Sequence, residues 1–126
     1  MYITSTDVYK LDNATPLAYI VHMFTFIETT AFGKALPYYL DDDEYAEMQD
    51  FMINYPEAGD IIPGSGGVRK LRWKRPRMGK RSGVRVVYYL KSRHFEIWLL
   101  AIYAKSEQED VPAHITRAWK ENIEDE

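Results

Sequence analysis

Between Arg69 and Arg93 the chain carries 11 lysines and arginines and no aspartate or glutamate, although the whole protein has a formal net charge of -3. The block is interleaved with residues that favour strands: Val68, Leu71, Trp73, Val84, Val86, Val87, Tyr88 and Tyr89. Such a stretch is expected to be folded sheet rather than a loose basic tail. It predicts a sheet with one apolar face and one cationic face. A charge run is most often a solvated surface. Over 25 residues without one compensating acid, it points instead to a polyanion bound at a defined place, most simply a nucleic acid.

Within the block, Val68 to Lys74 alternates: Leu71 and Trp73 share one face, while Lys70, Arg72 and Lys74 share the other. Residues 74–82, KRPRMGKRS, contain Pro and Gly and are expected to form a basic loop. From Gly83 to Leu90, Val84, Val86 and Tyr88 oppose Arg85, Val87 and Tyr89. After a turn at Lys91–His94, the run FEIWLLAIYA (95–104) is almost uniformly apolar, as for a central strand covered on both sides.

Upstream, residues 1–16 show no clear period, and His22 to Ile27 reads as a first strand. Thr29 or Thr30 is suited to cap a helix toward Tyr39, made irregular by Gly33 and Pro37. Asp41 and Glu44 have capping-box spacing, and Asp42 and Asp43 suit the positive end of a second helix reaching about Asn54. Tyr45, Met48, Met52 and Tyr55 form its apolar stripe, which reads as core. The connector PEAGDIIPGSGG (56–67) lacks the Gly-Lys-Ser/Thr of a phosphate loop and is followed by a strand, so its glycines read as tight turns. A short helix is expected over Val111–Asn122, with Ile115, Ala118 and Trp119 as its packing face. The predicted class is α+β, with strand, two helices, three antiparallel strands and a helix. Its helices cover one face of the sheet, and Lys70, Arg72, Lys74 and Arg85 lie on the other.

Composition removes several classes of chemistry. The chain has no cysteine, which excludes disulfides, thiolate catalysis and cysteine-ligated zinc. The DDDE run at Asp41–Glu44 is explained by helix capping, and neither a metal nor another cofactor is expected. His22, His94 and His114 stand far apart, outside the basic strands, which disfavours a two-histidine nuclease pair. No apolar run reaches the ~20 residues of a membrane span, and the N-terminus lacks a signal-peptide pattern. A cytoplasmic protein without membrane association is expected.

If the polyanion is RNA, cleavage through the ribose 2′-hydroxyl needs a proton acceptor, cations for the phosphorane and a donor for the leaving 5′-oxygen. Arginine holds phosphate oxygens bidentately. Lysine accepts a proton only if its neighbours depress its pKa, and tyrosine can donate or relay one. Lys70, Arg72 and Arg85, with Tyr89 nearby, supply these residue types. Arg69, Lys74, Arg75, Arg77, Lys80 and Arg81 supply further charge for RNA binding.

The segments GDIIPGSGGVRKLRW, GKRSGVRVVYY and LLAIYAKSEQEDV, in this order and spacing, resemble the RelE/HigB family of toxin–antitoxin toxins, in particular its HigB branch. The resemblance covers roughly Phe24 to Val111. It sets a toxin domain at residues 23–126 and leaves residues 1–22 as an N-terminal extension. It implies a microbial-ribonuclease-like fold and ribosome-dependent cleavage of mRNA in the decoding site. It also implies a co-encoded antitoxin, usually a helix-turn-helix protein of HigA type, through which the complex reaches operator DNA. On this resemblance Lys70 and Arg72 match paired basic positions of the second strand. Arg85 matches the catalytic arginine before VVYY, and Lys105 a basic position after the last strand. RelE has an arginine where Ser106 stands and a functional tyrosine near Val111 and Pro112. Neither is present here, so the resemblance leaves the acid role unassigned, with Tyr89, Tyr103 and the basic-loop residues Lys80 and Arg81 as candidates. The alternatives are a gyrase poison of the ParE kind, which generally lacks the basic set, and an inert nucleic-acid- or antitoxin-binding protein.

Overall fold

Six strands join one mixed sheet, and two helices follow its second strand in the chain. A computed structural model describes residues 2–10, 21–74, 83–106 and 110–124, with side chains described in 24–74, 83–106 and 110–123. The elements are β1 (Tyr2–Lys10), β2 (Val21–Thr29), α1 (Thr30–Tyr39), α2 (Asp42–Asn54), β3 (Asp60–Ile61), β4 (Arg69–Trp73), β5 (Val84–Lys91), β6 (Glu96–Ala104) and α3 (Ala113–Glu124). The strand order is β1-β2-β6-β5-β4-β3. Only β2 and β6 run parallel; the other neighbours are antiparallel. The architecture is therefore α+β, with strands and helices where the alternating and capped segments predict them.

Residues 2–10, which carry no clear period, form β1 and pair along their length with β2, from Tyr2 opposite Thr29 to Lys10 opposite Val21. The domain boundary set by the resemblance, between residues 22 and 23, falls inside β2.

The caps explain where the helices begin. Thr29 sits in extended conformation before α1 and its side chain accepts the Phe32 N–H at 3.1 Å. Asp41 Oδ1 accepts the Glu44 N–H at 2.7 Å, and Glu44 Oε1 accepts the Asp41 N–H at 3.0 Å, a complete capping box. Pro37 stands in the last turn of α1 without breaking it. Met48 and Met52 turn into the core, whereas Tyr55, just past the helix end, is 62% exposed.

Alternation divides the sheet into two faces. One face carries Phe24, Phe26, Leu71, Val84, Val86, Tyr88, Ile97 and Leu99, covered by Phe32 of α1 and Met48, Met52 and Ile53 of α2. The other carries Ile27, Val87, Trp98 and Leu100, and α3 lies there through Trp119 and Ile123. Helices therefore cover both faces, contrary to the one-sided layer expected. The reason is that β5 and β6 are apolar on both faces, and the second apolar row needs its own cover. The packing face of α3 is also rotated from the expected one. Thr116 and Ile123 are buried with Trp119 half-buried between them, while Ile115 and Ala118 face solvent.

Two local features set the entry into β4 and the register of β5 against β6. In the PGSGG turn, Gly64, Gly66 and Gly67 all have positive φ. Ser65 ties the turn, donating to Ile62 O at 2.6 Å and accepting from Val68 N at 3.0 Å. The second feature is a bulge: Val87 of β5 faces Ala101 of β6 and Tyr88 faces Leu99, so Leu100 has no partner in β5.

Candidate anion-binding face

Beyond the bulge, the facing rule of β6 is reversed. Leu99 points into the α1–α2 core, yet so does Ile102, three residues on, and Tyr103 falls with the opposite cluster. The register then lines up Arg72 of β4, Arg85 of β5 and Tyr103 of β6 in one row across three strands. Lys70, Val87 and Ala101 form the adjacent row. The bulge is what brings a tyrosine beside the arginines.

Arg72 and Arg85 are directly opposed, a position at which like charges destabilise a sheet and side-chain roots stand about 4.5–5.5 Å apart. Among the described residues neither has an ion-pair partner. Arg72 is exposed and Arg85 half-buried. Next to them Lys70 Nζ lies 3.0 Å from Asp110 Oδ2, and the Tyr103 hydroxyl donates to Asp110 Oδ1 at 3.1 Å. One carboxylate thus joins a lysine of β4 to a tyrosine of β6. Burial, the hydrogen bond to Asp110 and the Asp110 charge push the Tyr103 phenol up to about 12. The Lys70 ammonium holds the Asp110 carboxyl below its usual value, helped by the Tyr103 hydroxyl and the charge of Lys105. A cleft of about 450 Å³ opens beside this group along the β4 edge, lined by Lys70, Arg72, Asp60, Ile61, Ile62 and Pro63.

The predicted residues separate into three groups. Lys70, Arg72 and Arg85 come together as expected, with Lys74 exposed just past the end of β4 and Lys105 exposed just past the end of β6. Tyr89 shares their face but pairs with Trp98, four residues from Arg85, which is about 13 Å along a strand. The Lys120 ammonium lies 5.9 Å from its ring centroid, so Tyr89 belongs to the α3 packing. Arg69 points the other way. Its guanidinium donates to Glu57 O at 3.0 Å and Gly59 O at 2.8 Å, fastening the connector. Arg75, Arg77, Lys80 and Arg81 lie outside the described residues.

Sequence reasoning missed Asp110 and named Tyr103 only as one of several candidates for the acid. Asp110 is 40 residues from Lys70 in an acidic stretch without a period, so only the fold reveals the contact. Tyr103 sits in an apolar strand whose facing is set by a bulge that alternation cannot show. His94 stands in the 3₁₀ turn Ser92–His94 and His114 on α3, both exposed. Among the described residues no cluster of metal-ligating side chains occurs, and no helix is long and apolar enough to cross a membrane.

The arrangement can hold a doubly coordinated anion between two arginines, with a third cation and a protonated phenol at its side. No family model matches the chain.

Proposed function

We propose that the protein is a ribosome-dependent mRNA endoribonuclease of RelE/HigB type, the toxin of a toxin–antitoxin pair. The observation that carries this reading is the opposed pair Arg72 and Arg85, set in one row with Tyr103 and flanked by Lys70. Two forked cations facing each other, with no acid paired to either among the described residues, suit a phosphate that gains charge in a pentavalent transition state. In this mechanism the ribose 2′-hydroxyl gives up its proton to water, attacks the adjacent phosphorus and expels the 5′-oxygen, leaving a 2′,3′-cyclic phosphate. Arg72 and Arg85 hold the non-bridging oxygens. Tyr103, whose phenol remains protonated far above neutral pH, donates to the leaving oxygen. Lys70 and Lys105 add positive charge at the rim. The decoding site of the ribosome orders the mRNA for in-line attack.

The microbial-ribonuclease-like fold and a helix-turn-helix antitoxin of HigA type belong to the same reading and rest on the sequence resemblance. So does a cytoplasmic location, where ribosomes and mRNA are found.

The test is mRNA cleavage in a purified translation system with and without ribosomes. Wild type is expected to cut only with ribosomes. Arg72→Ala and Arg85→Ala should each lose at least ~100-fold in rate, the scale of one transition-state donor, while keeping a wild-type unfolding transition. Absence of cutting by folded, antitoxin-free wild type overturns the proposal, and gyrase inhibition is then the next assay.

A further inference from the structure

We propose that Asp110 is a stand-in for a substrate phosphate: in the free protein its carboxylate fills the anion subsite made by Lys70 and Tyr103, and a phosphodiester enters that subsite by displacing it. The inference rests on reading the basic face as a phosphodiester site and adds the occupant of that site in the absence of RNA.

Four observations support it. The two carboxylate oxygens are bound separately, Oδ2 by Lys70 at 3.0 Å and Oδ1 by Tyr103 at 3.1 Å. Two non-bridging phosphate oxygens present the same pair of acceptors with the same charge. Next, Lys70 is paired with Asp110, 40 residues away in the chain, and not with Asp60, its register partner in β3. Third, the carboxylate is the accessible member of the group. The Asp110 side chain is 44% exposed and Lys70 26%, while Tyr103 is buried. Asp110 also lies between β6 and α3, outside both, so no ladder or helix bond is broken when its side chain leaves. Finally, Asp110 engages neither Arg72 nor Arg85. Among the described residues the arginine half of the anion site is open and the other half is filled, and a phosphate drawn in by the arginines meets the carboxylate as its competitor.

Displacement has a further effect. Once Asp110 departs, the Tyr103 hydroxyl loses its acceptor and is free to turn to the incoming ester. The same event exposes the cation and releases the proton donor.

The test uses the full chain and a fluorescent 2′-O-methyl oligoribonucleotide, which binds but cannot be cut, read by anisotropy. Asp110→Asn is expected to bind roughly tenfold more tightly than wild type at low salt. Its salt dependence should steepen by about one released counterion, a slope change near 0.7 for a single strand. The gain should vanish in the Lys70→Ala background, as a double-mutant cycle requires for a competitor acting at that lysine. The control Asp43→Asn, an acid removed from the first turn of α2, should change affinity less than about twofold.

A gain that survives without Lys70 reduces the effect to net charge and overturns the proposal. So does unchanged or weakened binding by Asp110→Asn, which would place the carboxylate among the groups that hold RNA. If wild-type binding depends on Arg72 but ignores Asp110→Asn, only the stand-in is lost. If no variant binds the oligonucleotide, the nucleic-acid reading of the face is lost with it.

Discussion

Tyr103 has the most informative chemistry of any single residue in the chain. Its phenol is pushed up to about 12 by burial first and by Asp110 second, with Arg85 opposing. A spectrophotometric titration should show a tyrosine ionising near that pH and missing from Tyr103→Phe. Asp110→Asn should bring the same step earlier, since it removes the charge and the acceptor that raise it. The link to stability has a definite sign. The folded pKa lies above the ~10 of an unfolded tyrosine, so the contribution is intact below about pH 10 and is lost as pH rises toward 12. Asp110 behaves inversely: its folded pKa is depressed, so its contribution is present above the ordinary carboxyl range and lost as pH falls through the folded value. Tyr88 is also raised, mainly by burial, but its work is architectural. It accepts from Gly59 N at 3.0 Å and donates to Pro56 O at 2.8 Å, holding the connector that Arg69 grips from outside.

Among the elements, β6 and α1 are joined through one hydroxyl. Thr29 caps α1 by accepting from Phe32 N, and the same oxygen donates to the carbonyl of Leu100 at 3.0 Å. Leu100 is the bulged residue, so its carbonyl gains a partner that β5 does not give it. Thr29→Val keeps the shape and removes both bonds. Denaturant unfolding should show a loss of about 1–3 kcal/mol, more than a helix cap alone. The orientation of α3 makes a second prediction. Ile123→Ala, at a side chain 2% exposed, should cost about 2–5 kcal/mol. Ile115→Ala, at 37% exposure, should stay within about 0.5 kcal/mol despite its place in the face expected from sequence.

Across the whole molecule, what was legible depends on where polarity alternates. Strand β4 alternates charge with apolar side chains, so the facing of Lys70, Arg72 and Leu71 could be read directly. Arg85 could be read because Val84 and Val86 bracket it. The capping box announced α2 because Asp41 and Glu44 satisfy two backbone donors at a spacing that is itself the signal. Legibility ended where polarity stopped alternating. Strand β6 is apolar on both sides, so nothing in its composition marks Leu100 as unpaired or Tyr103 as turned toward the arginines. Arg69 shows the converse error. It is one cation among many in the sequence, but its position on Leu71's face sends it to backbone carbonyls. Asp110 was hidden for a different reason, because a contact spanning 40 residues leaves no local pattern.

A two-residue period has a phase as well as a length, and Leu100 resets that phase once, inside the strand. The segment before it fills both apolar layers, and the segment after it obeys the opposite parity. Paired straight through Leu100 without the bulge, the same strand would leave every charged side chain of the basic face in place. It would nevertheless present an isoleucine where the phenol stands and drive the phenol inward. The bulge at Leu100 is thus a specification in its own right, since it decides which side chain of β6 stands beside Arg85.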